Sequence, residues 1–185
     1  MKVALLIALG LVAIAARAAS AGDAMQCTAS GCRPVSSHKT GDITIEAGAG
    51  IAKTWLDLRE DSASPLMAEV AGGMGVFATP VVAIGLRGHV TLGRGPTTIT
   101  SLGVDVKLDR GGLFFAASPA IASVTAPETD ALAAALELRA GLDLGSVQIA
   151  LAVTPMYAFA NDGLDATAQL GAALRVGANV AIVLP

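Results

Sequence analysis

Residues 101–110 read SLGVDVKLDR. Leu102, Val104, Val106 and Leu108 fall on one parity, and Ser101, Gly103, Asp105, Lys107 and Asp109 on the other. A period of two predicts a strand, because successive side chains of a strand point to opposite faces, whereas a helical stripe recurs every three or four residues. The strand has one oily face and one charged face. In a soluble domain the charged face meets water; in a membrane barrel the oily face meets lipid. These ten residues fit both, so the rest of the chain decides.

The alternation recurs seven more times. Over 43–58, Ile43, Ile45, Ala47, Ala49 and Ile51 oppose Thr44, Glu46, Gly48 and Gly50, and the pattern blurs near Lys53, Trp55 and Asp57, where a bulge or strand end is expected. Over 66–77, Leu66, Val70, Met74 and Val76 oppose Glu69, Gly73 and Gly75. Over 81–92, Val82, Ile84, Leu86, Val90 and Leu92 oppose Arg87, His89 and Thr91. The opening stretch extends over 97–108. The segment 113–124, LFFAASPAIASV, is apolar on both parities and contains Pro119, which removes a ladder donor and predicts a bulge or an edge position. Over 131–144, Ala and Leu favour a helix, yet Leu132, Leu136, Leu138, Leu142 and Leu144 stay on even numbers against Glu137, Arg139 and Asp143, so a strand is expected. The last two segments are 147–159 (Val147, Ile149, Leu151, Val153 and Tyr157 against Gln148 and Thr154) and 166–183 (Leu170, Leu174, Val176, Val180 and Ile182 against Thr167, Gln169, Arg175 and Asn179).

The connectors REDSASP, ATP, GRGP, RGG, TAPETD, LGS and ANDG are short and rich in turn formers, so successive strands should be antiparallel neighbours. The first, third, fifth and seventh are mostly the longer ones. Short turns at one end and longer loops at the other is the layout of transmembrane β-barrels.

Composition points the same way. Of the 185 residues 54% are apolar and 15% charged, against roughly 45–50% and about 25% in soluble domains. Part of the excess is the run VALLIALGLVAIAA after Met1 and Lys2, followed by RAASA. A short positive start, an apolar middle and an A-x-A end predict a secretory signal peptide over 1–21, cleaved after Ala21. A polar periplasmic leader is expected over 22–42 and a barrel domain over 43–185. Cys27 and Cys32 in CTASGC would meet an oxidising compartment and are expected to form a small local disulfide. No later stretch reaches about 18 consecutive apolar residues. The net charge of −3 and the lack of a basic stripe exclude a nucleic-acid partner. No cofactor is expected, because no P-loop, dinucleotide fingerprint, zinc spacing or calcium loop occurs. No metal is expected either, since His38, the histidine nearest the cysteines, stands alone in the sequence.

The charged parity is too sparse in charge for a water-exposed surface. It is dotted with small residues such as Gly48, Gly73, Gly103, Ala133 and Gly177, which suits the crowded interior of a narrow barrel. The inward charges would be Glu46, Glu69, Arg87, Asp105, Lys107, Asp109, Glu137, Arg139, Asp143, Asp165 and Arg175, joined by His89. Both signs are present, so ion pairs across the lumen are expected, and an eight-stranded interior is just wide enough for side chains to fill. The fold expected is all-β: an antiparallel up-and-down transmembrane β-barrel of about eight strands.

Over residues 43–183, with segments such as VVAIGLRGHVTLG and TSLGVDVKLDR, the chain resembles the small eight-stranded outer-membrane β-barrels of Gram-negative bacteria, the OmpA/OmpX-type group. The resemblance implies an integral protein of the cell outer membrane with a structural or interaction role. Its lumen would be filled by polar and small side chains, with no wide pore. Outer-membrane lipids and the barrel assembly machinery would be its partners. Barrels of that group usually end on an aromatic residue, where this sequence reads VAIVLP. They also carry aromatic girdles, for which Trp55, Phe77 and Phe159 lie near strand ends. The alternative is a soluble exported β-barrel or sandwich, lipocalin-like, with its oily parity turned inward around an apolar ligand.

Some small outer-membrane barrels act on lipid A with a His and a Ser two residues apart on one strand face. Here His89 and Thr91 share a parity in RGHVTLG, with Glu69 on the preceding strand as a candidate orienting acid. Thr replaces Ser and the flanking residues differ, so His89 is expected to be a lumen histidine bonded to a neighbour. No catalytic residue is assigned and the chain is not expected to be an enzyme.

Overall fold

A computed structural model describes residues 25–28, 31–34, 38–55, 66–93, 98–110, 112–126, 129–161 and 172–184. The signal peptide expected over 1–21, its cleavage site and Asp165 lie outside these residues. The described residues form ten strands: β1 (Met25–Thr28), β2 (Gly31–Pro34), β3 (Ile43–Trp55), β4 (Met67–Thr79), β5 (Val82–Leu92), β6 (Thr98–Arg110), β7 (Leu113–Ala126), β8 (Thr129–Asp143), β9 (Val147–Asn161) and β10 (Ala172–Leu184). The pair β1–β2 is a small hairpin whose register sets Cys27 opposite Cys32. The side chains of this hairpin are not among those described, and neither is the disulfide expected there.

Strands β3 to β10 form a closed eight-stranded barrel. Each stave pairs antiparallel with its neighbours in the chain. The seam is made by β10 against β3, in register from Leu174↔Trp55 to Leu184↔Ile45. Closure leaves no edge strand, and backbone donors and acceptors are paired around the ring.

Parity sets the two faces of the wall. On β3 the burial alternates from exposed Ile43 to buried Thr44, exposed Ile45 and buried Glu46, and it does so without a break to Thr54. Of the bulge or strand end expected near Lys53, Trp55 and Asp57, no bulge occurs up to Trp55, where the described strand ends. On β6, Leu102 and Val104 face outward while Ser101, Lys107 and Asp109 are buried inside. The segment 131–144 is strand throughout, as the even-numbered leucines require, and β8 extends from Thr129 to Asp143.

Two local expectations are corrected. Pro119 is neither a bulge nor an edge. It stands opposite Leu136 in an unbroken β7–β8 register, and the β6–β7 register stays the same on both sides of it, from Gly103↔Ala120 to Val106↔Ala117. The ladder simply lapses beside the missing N–H, and a ring of eight strands absorbs that loss. The fifth connector is also shorter than TAPETD implied, because β7 and β8 run on to the pair Ala126↔Thr129.

The β4–β5, β6–β7 and β8–β9 turns lie at one end, the short-turn rim, together with residues 38–42. Gly112 and Gly145 take φ of +83° and +88° there, a conformation in which a β-carbon is strained. Asp143 Oδ1 accepts from Gly145 N at 2.8 Å, and Thr79 Oγ1 accepts from Val82 N at 3.1 Å. The segment before β3 is tied down at the same rim: Gly41 N donates to Phe77 O, Phe77 N to Asp42 O, and Lys39 N to Asp42 Oδ2 at 2.7 Å.

Candidate functional site

The lumen is the site where charge collects. Its residues come from the inward parity of all eight staves, so the fold delivers them as a stack of rings rather than as a sequence motif. Glu46, Glu69, Arg87, His89, Lys107, Asp109, Glu137, Arg139 and Arg175 are all buried, and Asp105 and Asp143 are half-buried.

Two carboxylates organise the network. Glu46 on β3 accepts from Arg87 Nη1 at 3.1 Å and Lys107 Nζ at 3.1 Å, and pairs with Arg139 Nη1 at 3.5 Å. Glu137 on β8 meets Arg87 Nε at 2.9 Å, Arg139 Nε at 3.1 Å, His89 Nδ1 at 3.1 Å and Arg175 Nη1 at 3.3 Å. Two further acids complete it. Asp105 receives both of its bonds to Arg139 from Nη2, at 2.7 and 2.8 Å, and the Ser118 hydroxyl donates to it as well. Glu69 pairs with Arg175, whose other arm donates to Thr154 Oγ1 at 2.7 Å. Buried ions are tolerable only when partnered in this way, since an unpaired one costs several kcal/mol, roughly.

His89 sits opposite Ser101 in the β5–β6 register. The Ser101 hydroxyl lies 2.8 Å from His89 Nδ1 and 3.3 Å from Nε2. Glu137 also approaches Nδ1. A hydrolytic relay needs the hydroxyl on one ring nitrogen and the acid on the other. Here the hydroxyl reaches both nitrogens and lies nearer to Nδ1, which Glu137 also approaches, deep inside the wall, so the contacts anchor the ring. Glu69 is not the acid beside His89. It faces Arg175, and Glu137 on β8, three staves along from His89 on β5, takes that position.

Phe77 and His38 differ from expectation, and Phe114 adds a second ring to the lumen. Phe77 is 1% exposed and lies inside, stacked on the His38 ring at 3.9 Å and 12°; it is not part of a girdle. Phe114 is equally buried, under the Lys107 ammonium at 5.1 Å. His38 does not stand alone. Its ligating nitrogen and carboxylate oxygens of Asp109 and Asp143 lie within 4.8 Å of one another at the short-turn rim. Burial against this rim pushes the His38 imidazole below its ordinary pKa. Lys107 works in the same direction, while Asp143 and Asp42 oppose it.

The outer face is the reverse of the lumen. Large apolar side chains are exposed on every stave, from Ile51 on β3 through Leu102 on β6 to Leu151 on β9. The inverted arrangement expected for a lipocalin-like carrier, with the oily parity inside, is not the one found.

No protein-family model and no curated protein matches the chain. Among solved structures it is similar to the crystal structure of Neisserial surface protein A (NspA), at 12% identity and a TM-score of 0.49, covering 76% of this chain and 96% of that one. It is also similar to the crystal structure of the N-terminal β-barrel domain of Pseudomonas aeruginosa OprF, at 14% identity and a TM-score of 0.49, covering 78% and 99%.

Proposed function

We propose that this chain is an integral outer-membrane β-barrel with a structural or interaction role, whose lumen is closed by its own ion pairs and carries no wide pore and no catalytic centre. The observation that carries the reading is the inside-out wall: a closed barrel with exposed Leu, Ile and Val around its circumference and its charges sealed within. A soluble protein rarely leaves an apolar surface of this extent open to water, whereas lipid requires it. Staves of 11 to 15 residues exceed the 9–11 or so needed to cross the hydrocarbon at a tilt.

Charges on the outer parity keep to the strand ends. Lys53 is exposed near the end of β3 and lies 5.3 Å over the Trp55 ring. Arg110 ends β6 and Asp130 begins β8, both exposed. Tyr157 and Phe159 are exposed toward the same rim as Trp55, and Phe115 toward the opposite one, which supplies a sparse version of the interfacial aromatic belts. The export signal expected at the N-terminus, a Cys27–Cys32 disulfide and assembly by the barrel machinery belong to the same reading. The short-turn rim, where residues 38–42 dock, would then face the periplasm.

The test is fractionation of the native host's envelope followed by an alkaline carbonate wash. The protein is expected to stay with the membrane, and to run differently on a gel before and after boiling. Release into the soluble fraction overturns the reading.

A further inference from the structure

We infer that His38, Asp109 and Asp143 form a binding site for one divalent transition-metal ion of the zinc class at the short-turn mouth of the barrel. The three residues come from three places: the segment before β3, the end of β6 and the end of β8. Their ligand atoms lie within 4.8 Å of one another. One imidazole nitrogen with two carboxylates is a donor set that zinc accepts, and the imidazole favours it over calcium or magnesium.

Two independent observations point to a ligand here. Asp109 is 6% exposed, and its Oδ2 is a buried carboxylate oxygen without a hydrogen-bond partner among the described residues. That oxygen is aimed at His38 Nε2 across 3.9 Å. The separation is too long for a hydrogen bond but suits two ligands of one ion, each about 2.0–2.2 Å from it. The second observation is the charge around the pair. Asp109 and Asp143 bring carboxylate oxygens within 4.8 Å of each other. The nearest cation, Lys107, is 3.7 Å from Asp143 but only 3.1 Å from Glu46, which holds it. A divalent ion entering the mouth would compensate both carboxylates at once.

The geometry is braced. Stacking on Phe77 and the turn at Lys39–Asp42 place the His38 ring. Bonds from Gly145 N and Gln148 Nε2 orient the Asp143 carboxylate, and oxygen lone pairs remain for a metal. His38 is a quarter exposed, so the ion reaches the site from the solvent at this rim, leaving its other coordination positions for water.

The experiment titrates zinc chloride into the untagged full chain folded in detergent micelles, read by calorimetry, with cobalt(II) absorption as a second readout. One ion per chain is expected, with affinity at least tenfold weaker in His38→Ala and in Asp109→Asn. The Cys27→Ser/Cys32→Ser double variant should bind as the parent does. His38 precedes the barrel, and unchanged heat-dependent gel mobility of His38→Ala shows that its barrel is intact. No saturable binding at millimolar zinc, equal affinity in folded His38→Ala, or binding lost only with the cysteines overturns the site.

Discussion

Val104 and Asp105 are consecutive residues that live in different media. Val104 is 47% exposed on the outer face. Asp105, one residue on, accepts two bonds from Arg139 and one from Ser118 inside the lumen. The two faces of one stave thus carry opposite costs. On the outside, stability depends on having nothing to solvate. On the inside, it depends on every charge having a partner. The ordinary division of labour, oily core and polar surface, is reversed, and the specificity of the fold moves from apolar packing to ion pairing.

The comparison breaks hardest at Glu137, which serves Arg87, Arg139, Arg175 and His89 at once. Glu137→Gln should destabilise the barrel by about 3–5 kcal/mol, the usual result of leaving buried charge uncompensated. The urea midpoint for unfolding from lipid vesicles reads this directly, with Trp55, the single tryptophan, as the fluorescent reporter. The adjacent pair sharpens the contrast. Val104→Arg should cost about 2–4 kcal/mol in the same assay, because the new charge meets hydrocarbon near mid-depth. Asp105→Asn should cost about 1–2 kcal/mol, since the amide oxygen still accepts from Arg139, which also keeps Glu46 and Glu137. A larger loss for Asp105→Asn than for Val104→Arg would mean the wall is inside out. The smallest effect belongs to the apolar level of the lumen near the longer loops. Ile99 is 0% exposed there among Ala122, Val124, Ala133 and Met156. Ile99→Val should cost about 0.5–1.5 kcal/mol, with no change in the charge-dependent midpoint shifts seen for Glu137→Gln.

That apolar level shows where sequence reading stops. Alternation alone separates Leu102 from Ser101, and Leu138 from Glu137, because one parity is oily and the other is not. On β7 both parities are apolar, so Phe114, Ala122 and Val124, which turn inward, look no different from Phe115 and Ile121, which turn outward. Phe77, by contrast, is legible by parity: it shares the inward odd positions with Glu69, Gly73 and Gly75, the register runs unbroken as far as Phe77↔Ala83, and only its nearness to a strand end suggests a girdle. The partners within the network were not legible. Glu69 and Arg175 are 106 residues apart, and parity says that both face inward without saying at which height. Height comes from the register of eight ladders, and a one-residue slip in any of them would re-pair the lumen. His38 is the extreme case. No periodicity marks it, and it joins Asp109 and Asp143 only because the segment before β3 folds back over the rim.

The seam carries a consequence for assembly. Arg175 lies on β10, the stave that closes the ring between β9 and β3, and it serves both Glu69 and Glu137. Before that last stave docks, those two carboxylates face an open, hydrated trough and lack one of their cations. Water can leave the trough only when the ring shuts and Arg175 arrives. The pairs among Glu46, Arg87, Lys107, Asp105, Arg139 and Glu137 use no residue of β10. Closing the ring therefore adds the two pairs that only Arg175 can make, and the seam is rewarded by charge as well as by its ladder.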